Sequence, residues 1–374
     1  MEKNNFFYKF YYQWWKSIDK SILLLILLLF AIGLFFSLVS TSLIASDKLN
    51  TNSYFFFFKH LIYVGIGMLL IFVFSSLSKD KLYKYSIVLF FISLISLSLV
   101  PIIGVEVKGS KRWIDLFFLP RFQPIEVLKP FLIVMLASIL SSNKSSNLLT
   151  EYLLSVFIIF VISLLLIIQP DIGQTLLAVF LWTVLIFTSG INLSILLGLS
   201  IFVIIFLTYL IIYVPKFDYI QGRIFSFFNR DTGSHNFQSD KAIESITSGG
   251  FFGKGVGEGT LKNRVPEAHT DYIISVISEE FGVVAIMLIL LLFLIFMHLI
   301  FKKINYENDE KNKLILIGCA SLILMQATIH IGVNIRLFPT TGMTLPFLSY
   351  GGSSTISISI LSGIILNLTK RKII

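Results

Sequence analysis

Ten runs of mostly apolar residues, near 21–44, 61–78, 85–103, 124–141, 150–168, 172–189, 193–214, 272–301, 313–335 and 342–368, govern what this chain can fold into. A helix crossing a hydrocarbon core of about 30 Å needs about 20 such residues. Backbone amides and carbonyls find no water in lipid, so a run of this kind forms a helix, which pairs them internally. Composition agrees, with 56% hydrophobic and 14% charged residues, against about 45–50% and 25% in soluble domains. The expected fold is an all-α polytopic membrane protein of about ten transmembrane helices. Over residues 1–374, little chain remains for a separate soluble domain.

Charge gives the helices an orientation. Short basic segments carry Lys79, Lys81 and Lys84, then Lys144, then Lys302, Lys303, Lys311 and Lys313, and last Lys370, Arg371 and Lys372. From a cytoplasmic N-terminus carrying Lys3, Lys9, Lys16 and Lys20, every one of these clusters falls inside, as the positive-inside rule requires. An odd number of spans would put one terminal cluster outside. Residues 1–20 and 369–374 are therefore expected in the cytoplasm. The first run is longer than the roughly 7–15 residues of a signal-peptide core and reads as an uncleaved span. Topology accounts for the net charge of +9, and no basic stripe or nucleic-acid motif accompanies it. Cys319 is the only cysteine, which excludes an internal disulfide and reads as a small buried hydrophobe. His60, His235, His269, His298 and His330 show no zinc-ligand spacing. Phe55 to Phe58 read as filler at the membrane interface.

Two outward segments are more than connectors. Residues 104–123 carry Lys108, Lys111, Arg112 and Arg121 on the side where few charges are expected. Residues 215–271, between the seventh and eighth spans, mix charges, glycines and aromatics without a hydrophobic run, and loops of such length are commonly functional or disordered. The glycines of SGGFFGKGVGEGT, 248–260, do not make a Walker loop, because Lys254 precedes Gly255 instead of Ser or Thr. They read as a flexible turn, with backbone contact to a phosphate as the alternative.

In VPEAHTDYIISVISEEFG, 265–282, Asp271 stands at the membrane boundary, either as a helix-start carboxylate behind an N-cap at Thr270 or as a functional group. Glu279 and Glu280 lie two turns deeper, where a carboxylate must face protein or water; local ion pairing and function are both open. Asp171, in QPDIGQ, suits a turn and cap. Glu126 and Lys129 share a helix face and either neutralise each other or, with Arg112, receive an anion. NIRLFPTTGMTLPFLSYGGSS, 334–354, breaks the entry to the last span with prolines and glycines, which is tolerated beside protein or a wet cavity.

KGSKRWI with FQPIEVLK, QPDIGQTLL, NFQSDKAIESITSGGFFGKGVGEG, VPEAHTDYIISVISEEFG and PTTGMTLPFLSYGGSS stand in the order of the SEDS family (shape, elongation, division and sporulation), which nearly the whole chain resembles. Thr344 before Leu345 and Pro346, together with Pro266 to His269, resembles the division-type members. The resemblance implies a polymerase of ten helices in the bacterial inner membrane, at the division septum, joining lipid II disaccharides into glycan strands on the outer face. It further implies a class B penicillin-binding transpeptidase and other division proteins as partners. No resident cofactor is named, and a divalent cation is left open. The family's essential acid maps onto Asp271 and its basic positions onto Arg112 and Lys129. Glu126, Asp171, Glu267, His269 and Arg336 complete the substrate-binding candidates. This chain departs from the family at Asn229-Arg230, where Asp-Pro is usual, at Arg336, where a small residue is usual, and at Thr341, where division-type members carry lysine. Arg336 either snorkels to lipid headgroups with no catalytic role or supplies that missing cation, and both readings are open. A flippase for the same lipid and a non-catalytic division scaffold are the competing functions.

Overall fold

The computed structural model describes residues 6–41, 54–107, 110–116, 119–141, 148–229 and 237–371. Lys3, Lys108, Lys144, Arg230, His235 and Lys372 lie outside the described residues. The helices are α1 (Phe6–Ser17), α2 (Lys20–Thr41), α3 (Phe55–Ser76), α4 (Lys79–Ile103), α5 (Pro124–Leu140), α6 (Leu148–Ile168), α7 (Ile172–Thr188), α8 (Leu193–Tyr213), α9 (Asp218–Asn229), α10 (Phe237–Gly249), α11 (Ile273–Tyr306), α12 (Glu310–Asn334) and α13 (Gly352–Leu368). All but α1, α9 and α10 follow the ten apolar runs. Seven of them, α2, α3, α4, α6, α8, α11 and α12, are long and apolar enough to cross a membrane. The other three, α5, α7 and α13, have 17 residues each, about 26 Å at 1.5 Å per residue. They fall slightly short of a hydrocarbon core of about 30 Å.

Two of the short helices lie deep in the bundle. α5 and α13 are buried along almost their whole length, and α13 packs chiefly against α3 and α5. At the far end of α13, Asn367 donates through Nδ2 to the carbonyls of Phe74 and Leu77, at 2.8 and 2.7 Å, and so closes the C-terminus of α3. Phe347, just before α13, meets Phe30 of α2 and Phe296 of α11 edge to face, with ring centroids 5.2 and 5.7 Å apart. Cys319 is fully buried, the small hydrophobe expected.

Several elements depart from the sequence expectation. Residues 105–122 form an antiparallel sheet, β1 (Val105–Val107), β2 (Ser110–Leu116) and β3 (Leu119–Phe122), in an order that follows the chain. Among the described side chains of β2 only Ile114 is deeply buried, so the alternation marking a half-buried strand is faint. The segment 215–271 contains the amphipathic helices α9 and α10 and two turns of 3-10 helix, and α1 precedes the first span. Thr270 is not an N-cap: α11 begins at Ile273, and the Thr270 hydroxyl turns back to Glu267.

α11 is broken at Gly282, whose φ of 73° and ψ of −174° lie outside the helical region. The break strands four backbone groups, and the glycine segment 250–255 pairs all of them. Lys254 and Gly255 amides donate to the carbonyls of Glu279 and Glu280, at 2.9 and 3.0 Å, while Val283 and Val284 amides donate to Gly250 and Phe251, at 3.0 and 3.2 Å. The two acids before the break face the same segment. Glu279 accepts from Ser245 Oγ and the amides of Leu261 and Lys262, and Glu280 from the Gly257 amide and the buried Lys262 ammonium. Local pairing, one of the two alternatives left open above, is thus the arrangement found for Glu279 and Glu280. The glycines make a backbone clasp on a broken helix, and Lys254 pairs with Glu279 at 3.7 Å. A Cβ at Gly282 would stand 2.2 Å from the Phe251 carbonyl oxygen. Gly282→Ala should therefore cost at least about 1–2 kcal/mol for the left-handed conformation and about 1–3 kcal/mol more for the clash. A thermal melt of the detergent-purified protein checks this, and an unchanged midpoint would show that the clasp gives way freely.

Candidate functional site

Four helices begin around one cavity. α5 starts after Gln123, α7 after Asp171, α11 after Tyr272 and α13 after Gly351, and all four preceding residues line it. Its volume open to water-sized molecules is about 490 Å³. A helix N-terminus presents unpaired amides and carries the equivalent of about half a positive charge. Four such ends, with Arg112, Arg121 and Arg223, bring positive charge to a cavity that Glu126, Asp171, Glu267 and Asp271 also line.

β2 supplies Arg112. Its guanidinium donates to the Pro170 carbonyl and lies 3.6 Å from the Asp171 carboxylate. Asp171 in turn accepts from Gln123 Nε2 at 3.2 Å and from the Gln174 amide at 3.4 Å, the N-cap of α7 expected from QPDIGQ. Glu126 also lines the cavity, and its Oε1 accepts from Gln174 Nε2 at 2.8 Å and from Lys129 Nζ at 2.7 Å. Lys129 is fully buried behind Glu126, with Gln326 Oε1 at 3.4 Å, and does not line the cavity. Its three-residue spacing from Glu126 has the neutralising outcome, so Lys129 holds Glu126 in place and faces no ligand directly.

Asp271 is set by its backbone. Glu267 adopts a left-handed φ of 55°, and its carbonyl accepts from the amides of Thr270, Asp271 and Tyr272. Asn334 Nδ2 donates to the Asp271 carbonyl at 3.0 Å and to the His330 carbonyl at 2.8 Å, fixing the turn to the end of α12. The Tyr350 amide donates to the His269 carbonyl at 3.1 Å, tying the same turn to the start of α13. Gly342, at a left-handed φ of 71°, lies beside the carboxylate: a Cβ there would stand 3.6 Å from Asp271 Oδ2, an ordinary contact. Glu267 and His269 line the cavity beside Asp271. Phe56 is not interfacial filler; its ring lies 4.4 Å from that of His269, and it lines the same wall.

Six of the eight candidates thus meet at one cavity: Arg112, Glu126, Asp171, Glu267, His269 and Asp271. Lys129 and Arg336 do not line it. Arg336, at a left-handed φ of 56°, pairs with Asp240 of α10. It therefore does not deliver to the cavity the cation that Thr341 lacks. Arg223 of α9 does line the cavity, and its Nη1 donates to the Thr340 carbonyl at 2.9 Å, one residue from Thr341. Burial, and then the nearby charge of Arg112, lower its basicity to about 10, while Tyr272, Asp271 and Asp171 act in the opposite sense. At neutral pH it remains a cation. Sequence reasoning missed Arg223 because it sits in a short helix within a loop read as irregular. Gln174, by contrast, is visible three residues after Asp171, at the spacing of a cap. Among the described residues no group of three or more His, Cys, Asp or Glu is arranged to hold a metal ion.

Comparison with known proteins places the chain in a family. The model of the cell cycle proteins FtsW, RodA and SpoVE matches residues 19–373. The probable peptidoglycan glycosyltransferase FtsW of Trichlorobacter lovleyi is 33% identical over 350 residues, covering 91% of this chain and 90% of that one. The protein of the same name from Caulobacter vibrioides is 30% identical over 346 residues, covering 92% and 87%. Among solved structures, a chain of a peptidoglycan synthase complex that coordinates polymerization and crosslinking superposes with a TM-score of 0.75 at 25% identity, covering 94% of this chain and 97% of that one. The rod shape determining protein RodA of Thermus thermophilus gives 0.69 at 26% identity, covering 95% and 97%. By sequence over nearly its whole length and by fold, the chain belongs to the SEDS family of cell cycle proteins that includes FtsW, RodA and SpoVE.

Proposed function

We propose that this chain is a peptidoglycan glycosyltransferase of the FtsW type, which polymerises lipid II into glycan strands on the outer face of the inner membrane during division. The observation that carries the proposal is the meeting of Asp271 with Arg112, Arg223 and four helix N-termini around one cavity. Names of relatives on both the sequence and structure side support the activity. A class B transpeptidase as working partner is supported by the structural neighbour in a synthase that joins polymerization to crosslinking.

The chemistry is a displacement at an anomeric carbon. A hydroxyl oxygen of the acceptor sugar forms the new bond to that carbon, the bond from carbon to the pyrophosphate oxygen breaks, and the hydroxyl proton passes to Asp271. The lipid pyrophosphate leaves with the bonding electrons. Arg112, Arg223 and the helix N-termini then offset its charge. Displacement in one step inverts the anomeric centre, by analogy with single-displacement glycoside chemistry. Lys129 and Asn334 position Glu126 and Asp271 and touch no substrate.

Two outcomes follow for the purified protein with lipid II and its partner. Asp271→Asn, which keeps size and removes the proton acceptor, should slow polymerisation by about 10²–10⁴. Arg223→Gln should slow it by about 10²–10³, the usual effect of losing one preorganised donor. Normal strand synthesis by either variant would remove that residue from the proposed chemistry, and a scaffold would tolerate both. The orientation has its own test, motivated by the basic clusters at 302–313 and 370–372. Glu258 and Asn308 are both exposed, and Cys319 is buried and silent. A thiol reagent that cannot cross the membrane should label Glu258→Cys and not Asn308→Cys in intact cells freed of their outer membrane. The opposite pattern would invert the topology.

A further inference from the structure

A second cavity, of about 580 Å³, lies at the opposite end of the chain's charge pattern, where α1, the end of α3 and the segment after α13 meet. α1 is held there firmly. Trp14 Nε1 donates to Ser75 Oγ at 2.9 Å, its ring stands edge-on to Phe72 at 5.0 Å, and the Arg371 amide donates to the Ser17 carbonyl at 2.8 Å. The pocket is therefore formed before any ligand enters.

Its walls are cationic, polar and aromatic in turn. Lys16 and Lys370 both line it, together with Gln13, Ser76, Tyr12 and Trp14. Nearby carboxylates are already engaged: Asp19 pairs with Lys303 at 2.7 Å and Arg371 at 3.9 Å, and Glu307 pairs with Lys79 at 3.7 Å. Among the described residues neither Lys16 nor Lys370 makes an ion pair; Lys370 Nζ donates to the Leu77 carbonyl at 3.3 Å. Burial, and then the like charge of Lys79, lower the basicity of Lys370. The outer side of α1 exposes Tyr8, Tyr11, Tyr12 and Trp15, side chains that settle at the level of lipid headgroups.

We propose that this pocket binds the headgroup of an anionic phospholipid, with Lys16 and Lys370 on the phosphate and Gln13 and Ser76 on the remaining headgroup oxygens. The aromatic face of α1 lies along the upper acyl chains. The bound lipid fastens α1 to the bundle where α3 and α13 end. This site is independent of the polymerase chemistry and rests on the membrane fold alone.

Native mass spectrometry of the detergent-purified full chain, titrated with phosphatidylglycerol or phosphatidylcholine, tests it. The unmodified protein should prefer phosphatidylglycerol at least tenfold. Each basic residue near a lipid surface contributes a factor of about five, so the double variant Lys16→Gln, Lys370→Gln should lose about 25-fold in phosphatidylglycerol affinity with phosphatidylcholine binding unchanged. Lys16→Arg with Lys370→Arg should keep the preference, which separates charge from folding, and Lys111→Gln on the exposed sheet should change nothing. Equal affinity for the two lipids, full binding by the Gln pair, or lost binding by the Arg pair would overturn the site. Millimolar glycerol phosphate should fail to displace the lipid; complete displacement would mean a soluble phosphate is the ligand and would overturn the lipid assignment.

Discussion

Every amide and carbonyl inside a bilayer must be paired, and the architecture of this protein follows from where that pairing is interrupted. Long outer helices satisfy it by themselves. The short helices α5, α7 and α13 stop after 17 residues, and α11 breaks at Gly282. Each interruption would be costly against lipid. Each is instead enclosed by neighbours, either as the clasp of residues 250–255 on α11 or as the rim of a wet cavity. The same shortness that leaves helix ends unpaired therefore creates the site.

Electrostatics then organises what the shortness opens. Helix N-termini aimed into a cavity favour negative charge, and the acidic side chains nearby are managed accordingly. Asp171 caps α7 and pairs with Arg112, and Glu126 is held by Lys129 and Gln174. Asp271 is different in kind, because what holds it is the backbone turn of Glu267 and the Asn334 amide on its carbonyl. A carboxylate beside cations is the pairing that the proposed sugar transfer uses, one group for the proton and the others for the leaving anion.

Much of this was legible before any coordinates. Apolar runs of spanning length determine helices almost by themselves, because lipid removes the alternatives, and each of the ten runs corresponds to a helix. Asp271, Arg112, Asp171 and Glu126 stood out as charges at span boundaries. Most of what was illegible depends on contacts far apart in sequence. Arg223 meets Thr340 across 117 residues and Arg336 meets Asp240 across 96, so no local pattern could tell which arginine reaches the cavity. The glycines at 250–255 were visible, yet their partner is the broken helix at 279–284, and only the break explains them. Among the described side chains of β1, β2 and β3 one is deeply buried, and the strands offer no clean alternation.

Central to the account is that anion binding and proton transfer belong to different residues of one cavity. Equilibrium binding of an unreactive prenyl pyrophosphate separates them. Removing the negative charge of Asp271 as Asn should leave affinity equal to that of the unmodified protein or raise it severalfold, while Arg112→Gln should lower it about tenfold or more, as loss of a charge-assisted contact does. Loss of pyrophosphate binding in Asp271→Asn, with full binding retained in Arg112→Gln, would contradict the account.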